Sequence, residues 1–118
     1  FPDFVEKKGC VILDFLFDKN IFKDWFNSYK GDISRVEYMC NMYELKDYFH
    51  INDNSDDDTV YWERLFALGR VMQRAWQINL KLLYPDRKFK VVLVDDREMD
   101  MYYITFFSIS SETNRAIK

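Results

Sequence analysis

Any catalysis by this chain would have to be built from few parts. His50 is the single histidine, so a Ser-His-Asp or Cys-His arrangement must pass through it, with Cys10 or Cys40 as the available thiols. No strained nucleophile turn accompanies it. One His and two separated Cys also lack the local ligand spacing of a zinc site. Asn52, Asn54, Asp56 and Asp58, followed by Glu63 at the twelfth position, follow the alternating oxygen-ligand order of a helix-loop-helix calcium site. However, Asp57 stands where that loop needs Gly, and Asn rather than Asp opens it. Helix capping and solvation are the plainer reading.

A second acidic group, Asp95, Asp96, Glu98 and Asp100 around Arg97, has the composition of a carboxylate pair or a divalent-ion site. Its place between two apolar runs reads more simply as a polar turn. Gly9, Gly31 and Gly69 are too scattered for a phosphate-cradling loop, which excludes P-loop and dinucleotide folds. Arg70, Arg74 and Lys81 share one helical face, with Arg87, Lys88 and Lys90 close in sequence, and could hold phosphate. The ordinary role of such a stripe is a solvated surface.

These residues sit in a chain of 118 residues, one domain's worth. Apolar residues make up 48% and include 11 Phe, 8 Tyr and 3 Trp, an aromatic load that serves cores and interfaces alike. The net charge of -3 is unevenly spread. Residues 1–58 carry 13 acidic and 7 basic side chains, and residues 59–118 carry 7 acidic and 10 basic. That pattern fits internal charge complementarity, or an acidic surface for a basic partner. Two cysteines among apolar neighbours predict free thiols and a cytoplasmic setting. No apolar run is long enough to span a membrane, and no signal-peptide pattern is visible. Because the chain begins at Phe1, its native start is left open.

The elements that position these groups follow from periodicity. Val11, Ile12, Phe15, Leu16, Phe22, Trp25, Phe26 and Tyr29 recur at helical spacing and predict a first helix over residues 10–30, broken near 18–20 and stopped at Gly31. A short strand within residues 10–17 is the alternative, since Cys10 to Leu13 is compact and partly β-branched. A second helix is expected from Asp32 or Ser34 to Phe49, with Asp32 as its cap. Residues 50–58 read as a loop.

The clearest element is a long helix over residues 59–83. Tyr61, Leu65, Leu68, Met72, Ala75, Trp76 and Leu83 fall on one side, and Glu63, Arg70, Arg74, Gln77 and Lys81 on the other. Phe66, Ile78 and Asn79 disobey this division, and Gly69 costs ~1 kcal/mol of helix propensity relative to Ala. Pro85 ends the helix. Residues 89–94 and 101–109 alternate as strands of a hairpin that is apolar on both faces, more than one buried face requires. The expected fold is therefore α+β. It has two N-terminal helices, one long amphipathic helix and a C-terminal antiparallel hairpin, with residues 10–17 or a second subunit available to supply a third strand. Residues 110–118 are expected to fray.

Val36 to Phe49, with Asn41, Leu45 and Phe49, then Leu65 to Trp76, Leu80, Tyr84-Pro85-Asp86-Arg87-Lys88-Phe89 and Ile104-Thr105-Phe106 together resemble small uncharacterised bacterial proteins of toxin-immunity-like or accessory loci. The resemblance implies an α/β protein that binds a protein partner, and it carries over no catalytic residue. The function expected is a non-catalytic, self-associating interaction or immunity-like module without cofactor or metal. Its candidate interaction residues are Trp62, Phe66, Arg70, Arg74, Ile78, Lys81, Tyr102 and Phe106. The rival classes are a small metal-dependent hydrolase using Asp95, Asp96, Glu98 or the His50 loop, and a regulatory nucleic-acid binder using Arg70, Arg74 and Lys81.

Overall fold

Lys8 and Gly9 take φ of 49° and 83°, the paired left-handed conformation of a two-residue loop whose twist suits the strands on either side. The computed structural model describes residues 2–45, 58–96, 98, 99 and 101–109. Around that loop the chain opens as a hairpin, β1 (Phe4–Lys7) against β2 (Cys10–Leu13), followed by a single 3-10 turn at Asp14–Leu16. Two helices follow, α1 (Lys19–Ser28) and α2 (Ile33–Cys40). Next come β3 (Tyr43–Glu44), the long helix α3 (Asp58–Leu83), β4 (Lys88–Asp96) and β5 (Met101–Ile109).

This overturns the expectation of a helical N-terminus. Cys10 to Leu13 are all buried, with Val11 and Leu13 entering the main core beneath α3 while Cys10 and Ile12 enter a second core with Phe22 and Val36. Alternate residues facing opposite interiors is strand geometry, and a four-residue run apolar throughout hides that period from any count of helical spacings. Helix begins only where Asp18 caps it, accepting from the Asn20 and Ile21 amides at 2.9 and 3.0 Å. It ends as the Gly31 amide reaches back to the Phe26 carbonyl and the Lys30 amide to that of Asn27, the paired closure of a Schellman motif. The third strand of the C-terminal sheet is also not residues 10–17. The order is β3-β5-β4, antiparallel, and Tyr43 and Glu44 pair with Ile104 and Tyr103. Helix α2 stops at Cys40 instead of continuing toward Phe49; residues 46–57 lie outside the described part.

The hairpin is apolar on both faces because both are covered. Tyr102, Ile104 and Phe106 point into the core under α3. On the opposite side Thr105 donates to the Tyr38 carbonyl at 2.7 Å, and the Tyr38 and Tyr103 hydroxyls meet at 2.7 Å. Gln73 and Gln77, one turn apart on α3, reach the outer edge of β4 and donate to the Val91 and Phe89 carbonyls at 2.9 and 3.0 Å. Side-chain amides thus stand in for a neighbouring strand.

The irregularities of α3 now have causes. Asn79 donates to the Pro2 carbonyl at 3.0 Å, tying the start of the described chain to the helix. Phe66 packs edge-on against Tyr102, ring centroids 5.0 Å apart. Gly69 makes room for the same tyrosine, since a Cβ there would collide with the Tyr102 hydroxyl and lie 3.0 Å from its Cζ and 3.1 Å from Leu93 Cδ2. Gly69→Ala should therefore lose about 1–3 kcal/mol by overpacking despite the better helix former. Adding Tyr102→Phe, which removes the colliding oxygen, should recover part of that loss in urea midpoints. A stabilised single variant would refute the packing account.

Candidate functional site

Helix α3 runs 26 residues, about 39 Å at ~1.5 Å per residue, nearly the 46 Å long axis of the molecule. Its inner side carries Leu65, Trp76 and Leu80 into the core. The outer side is not simply polar. Val71, Ile78 and Leu82 are 66%, 49% and 72% exposed, and with Ala75 they advance in steps of four, three and four residues, the spacing of a seam that packs against another helix. Ala67, Val71, Ala75 and Ile78, with Arg70 and Arg74, line an open groove of about 560 Å³. Among the described residues no hydrogen bond or ion pair engages Arg70, Arg74 or Lys81, although the Arg70 charge is felt by the Tyr102 hydroxyl.

The structure brings Arg70, Arg74, Ile78 and Lys81 from the sequence-based candidates onto this one face. Trp62 and Phe66 lie half-buried against the core, on the flank that meets Tyr102. Tyr102 and Phe106, 3% and 0% exposed, belong to the core and offer no surface. Sequence reasoning passed over Val71 and Leu82 and assigned Ala75 to the buried side. Their four-three-four spacing was the available signal.

The strongest concentration of buried polar groups lies elsewhere, around Glu37. Its Oε2 accepts from the Val11 amide at 2.8 Å and the Ser108 hydroxyl at 3.0 Å, and its Oε1 accepts from the Ser108 amide at 2.8 Å. Arg87 Nη2 stands 3.5 Å from Oε2 and donates to Ser108 Oγ at 2.8 Å and to the Gly9 carbonyl at 3.0 Å. A hydroxyl hydrogen-bonded to a carboxylate has the form of a nucleophile with its base. Here, however, both carboxylate oxygens are held by backbone amides and the hydroxyl oxygen is occupied by Arg87. The groove beside it, about 380 Å³ between Ile33, Ser34, Arg87 and Ser108, therefore borders a structural clamp.

Burial, with Glu37 nearby, pushes the Cys10 thiol up to about 12 and the Cys40 thiol up to about 11, far from nucleophilic use. Asp96 accepts from the Met99 amide at 3.2 Å, as a turn residue does. No group of three or more potential metal ligands occurs among the described residues, and His50 and the calcium-like loop through residue 57 lie outside them. No helix among the described residues is long and apolar enough to cross a membrane. No family model, curated protein or solved structure matches the chain.

Burial outweighs the amide, hydroxyl and Arg87 contacts and holds the Glu37 carboxyl above its ordinary 4.5. The folded chain then binds that proton at higher pH than the unfolded chain does. The Glu37 contribution to stability is therefore full below pH 4.5 and declines as pH rises through the folded value. Glu37→Gln, which sets an amide donor against a backbone donor, should cost about 3 kcal/mol. The gap between wild type and variant should narrow from pH 4.5 toward neutrality; a gap that widens would contradict the sign. Native Cys40, its thiol pushed up from 9.0 to about 11 by burial, should react with iodoacetamide roughly a hundredfold more slowly than in urea, as mass spectrometry would show.

Proposed function

We propose that the chain is a non-catalytic protein-interaction module that docks its partner on the outward face of α3. The observation that carries this reading is the helical seam left uncovered there. Fully burying a side chain of the size of Val71, Ile78 or Leu82 is worth roughly 1.5–3 kcal/mol, and unlike the exposed Phe15, Ile21 and Met99 elsewhere these three follow one another along a single helix face, as a docking surface does. An immunity-like role, in which the chain acts by occupying a partner's surface, asks no residue here to perform chemistry. The free thiols Cys10 and Cys40 suit a reducing compartment such as the cytoplasm.

The double variant Val71→Asp/Ile78→Asp tests the surface. Because both side chains are exposed, folding stability should stay within about 0.5 kcal/mol of wild type. Affinity capture with the whole chain from its native host, with sedimentation of the eluted complexes, should yield a discrete protein partner that the variant no longer retains. Identical complexes for both chains, or none for either, would end this reading.

A further inference from the structure

The identity of the occupant can be narrowed by what flanks the seam. When Val71, Ala75, Ile78 and Leu82 are placed at the contact positions of a helix pair, Arg74 and Lys81 take the adjoining positions on one side, where charges choose the partner. Met72 and Asn79 take the other side. That side is closed, since Asn79 is tied to the Pro2 carbonyl and Met72 packs on the core. An approaching helix therefore meets an apolar strip with a single open flank, and that flank is cationic and unpaired within the described residues.

A second copy of this chain fits poorly. In an antiparallel pair the positions occupied by Arg74 and Lys81 face each other, so cation meets cation. In a parallel pair they face the closed Met72 and Asn79 side. Phosphate backbones and lipid surfaces could use the cations, but neither requires the four-three-four apolar repeat. Resting on the docking role proposed above, we infer that the partner presents an amphipathic helix to α3, its apolar seam bordered by Glu or Asp on the side facing Arg74 and Lys81.

Two synthetic helical peptides with the same Leu/Ile heptad seam test this, one with Glu and one with Lys at every flanking position. Each repels itself, so each starts unpaired. Fluorescence anisotropy with the whole chain should show the Glu peptide binding at least about tenfold more tightly, with the preference fading in high salt. Arg74→Glu/Lys81→Glu should invert the order, and Val71→Asp/Ile78→Asp should abolish binding of both. Equal binding of the two peptides would overturn the acidic-flank inference and leave the docking role standing. A chain that ignores both peptides but forms a dimer lost in Val71→Asp/Ile78→Asp would mean that the face serves a second copy. Salt-steep binding to duplex DNA or to anionic phospholipid vesicles, with neither peptide bound, would remove both readings.

Discussion

Two side chains four residues apart, Glu37 on α2 and Asn41 at its C-cap, join the two halves of this fold. Strand β2 and strand β5 never pair, yet Glu37 and Asn41 join them. The Asn41 side chain accepts from the Leu13 amide at 2.9 Å and donates to the Val11 carbonyl at 3.1 Å and the Phe106 carbonyl at 3.4 Å. Glu37 does the same work between Val11 and Ser108. Along this edge of β5 the polar groups of every second residue are met in turn, from the Glu44 carboxylate at Tyr102 through the β3 pairing to Asn41 and Glu37. Backbone groups cannot be buried unpaired. Glu37 and Asn41 supply those partners where the N-terminal hairpin and the C-terminal sheet share a core.

The same device recurs on the opposite edge, where Gln73 and Gln77 of α3 serve β4. Each helix therefore packs on the sheet and also finishes one of its edges. Partners that add a strand need unpaired edge groups, and these two edges are occupied where the side chains reach.

How far the sequence was legible depended on whether one periodicity told the story. The long helix was readable because its buried and exposed sides differ over seven turns, and the hairpin of β4 and β5 because alternation and a polar turn agree. The N-terminal hairpin was not, because Cys10 to Leu13 are buried on both sides and show no alternation. Its real signal was the Lys8-Gly9 pair, a short-range turn rule rather than a pattern. Glu37 and Asn41 carry no local pattern that marks them. Their role depends on partners 71 and 65 positions away, which local reading cannot reach. The outer seam of α3 was half visible: its cations and Ile78 stood out, but Val71, Ala75 and Leu82 were masked by an inner stripe of greater hydrophobicity.

The Glu37 clamp also bears on the order in which the molecule can be completed during synthesis. Strand β5 leaves the ribosome after every other element described here, and until it arrives Glu37 lacks the Ser108 amide and hydroxyl, Asn41 lacks Phe106, and the cavity under α3 lacks its central strand. The earlier elements can form locally, but their shared interior closes only when residues 65 and 71 positions apart meet, the slow kind of contact. Until β5 emerges, the nascent segment therefore carries an unfinished carboxylate site and open apolar surface, the kind of exposure that invites misassembly.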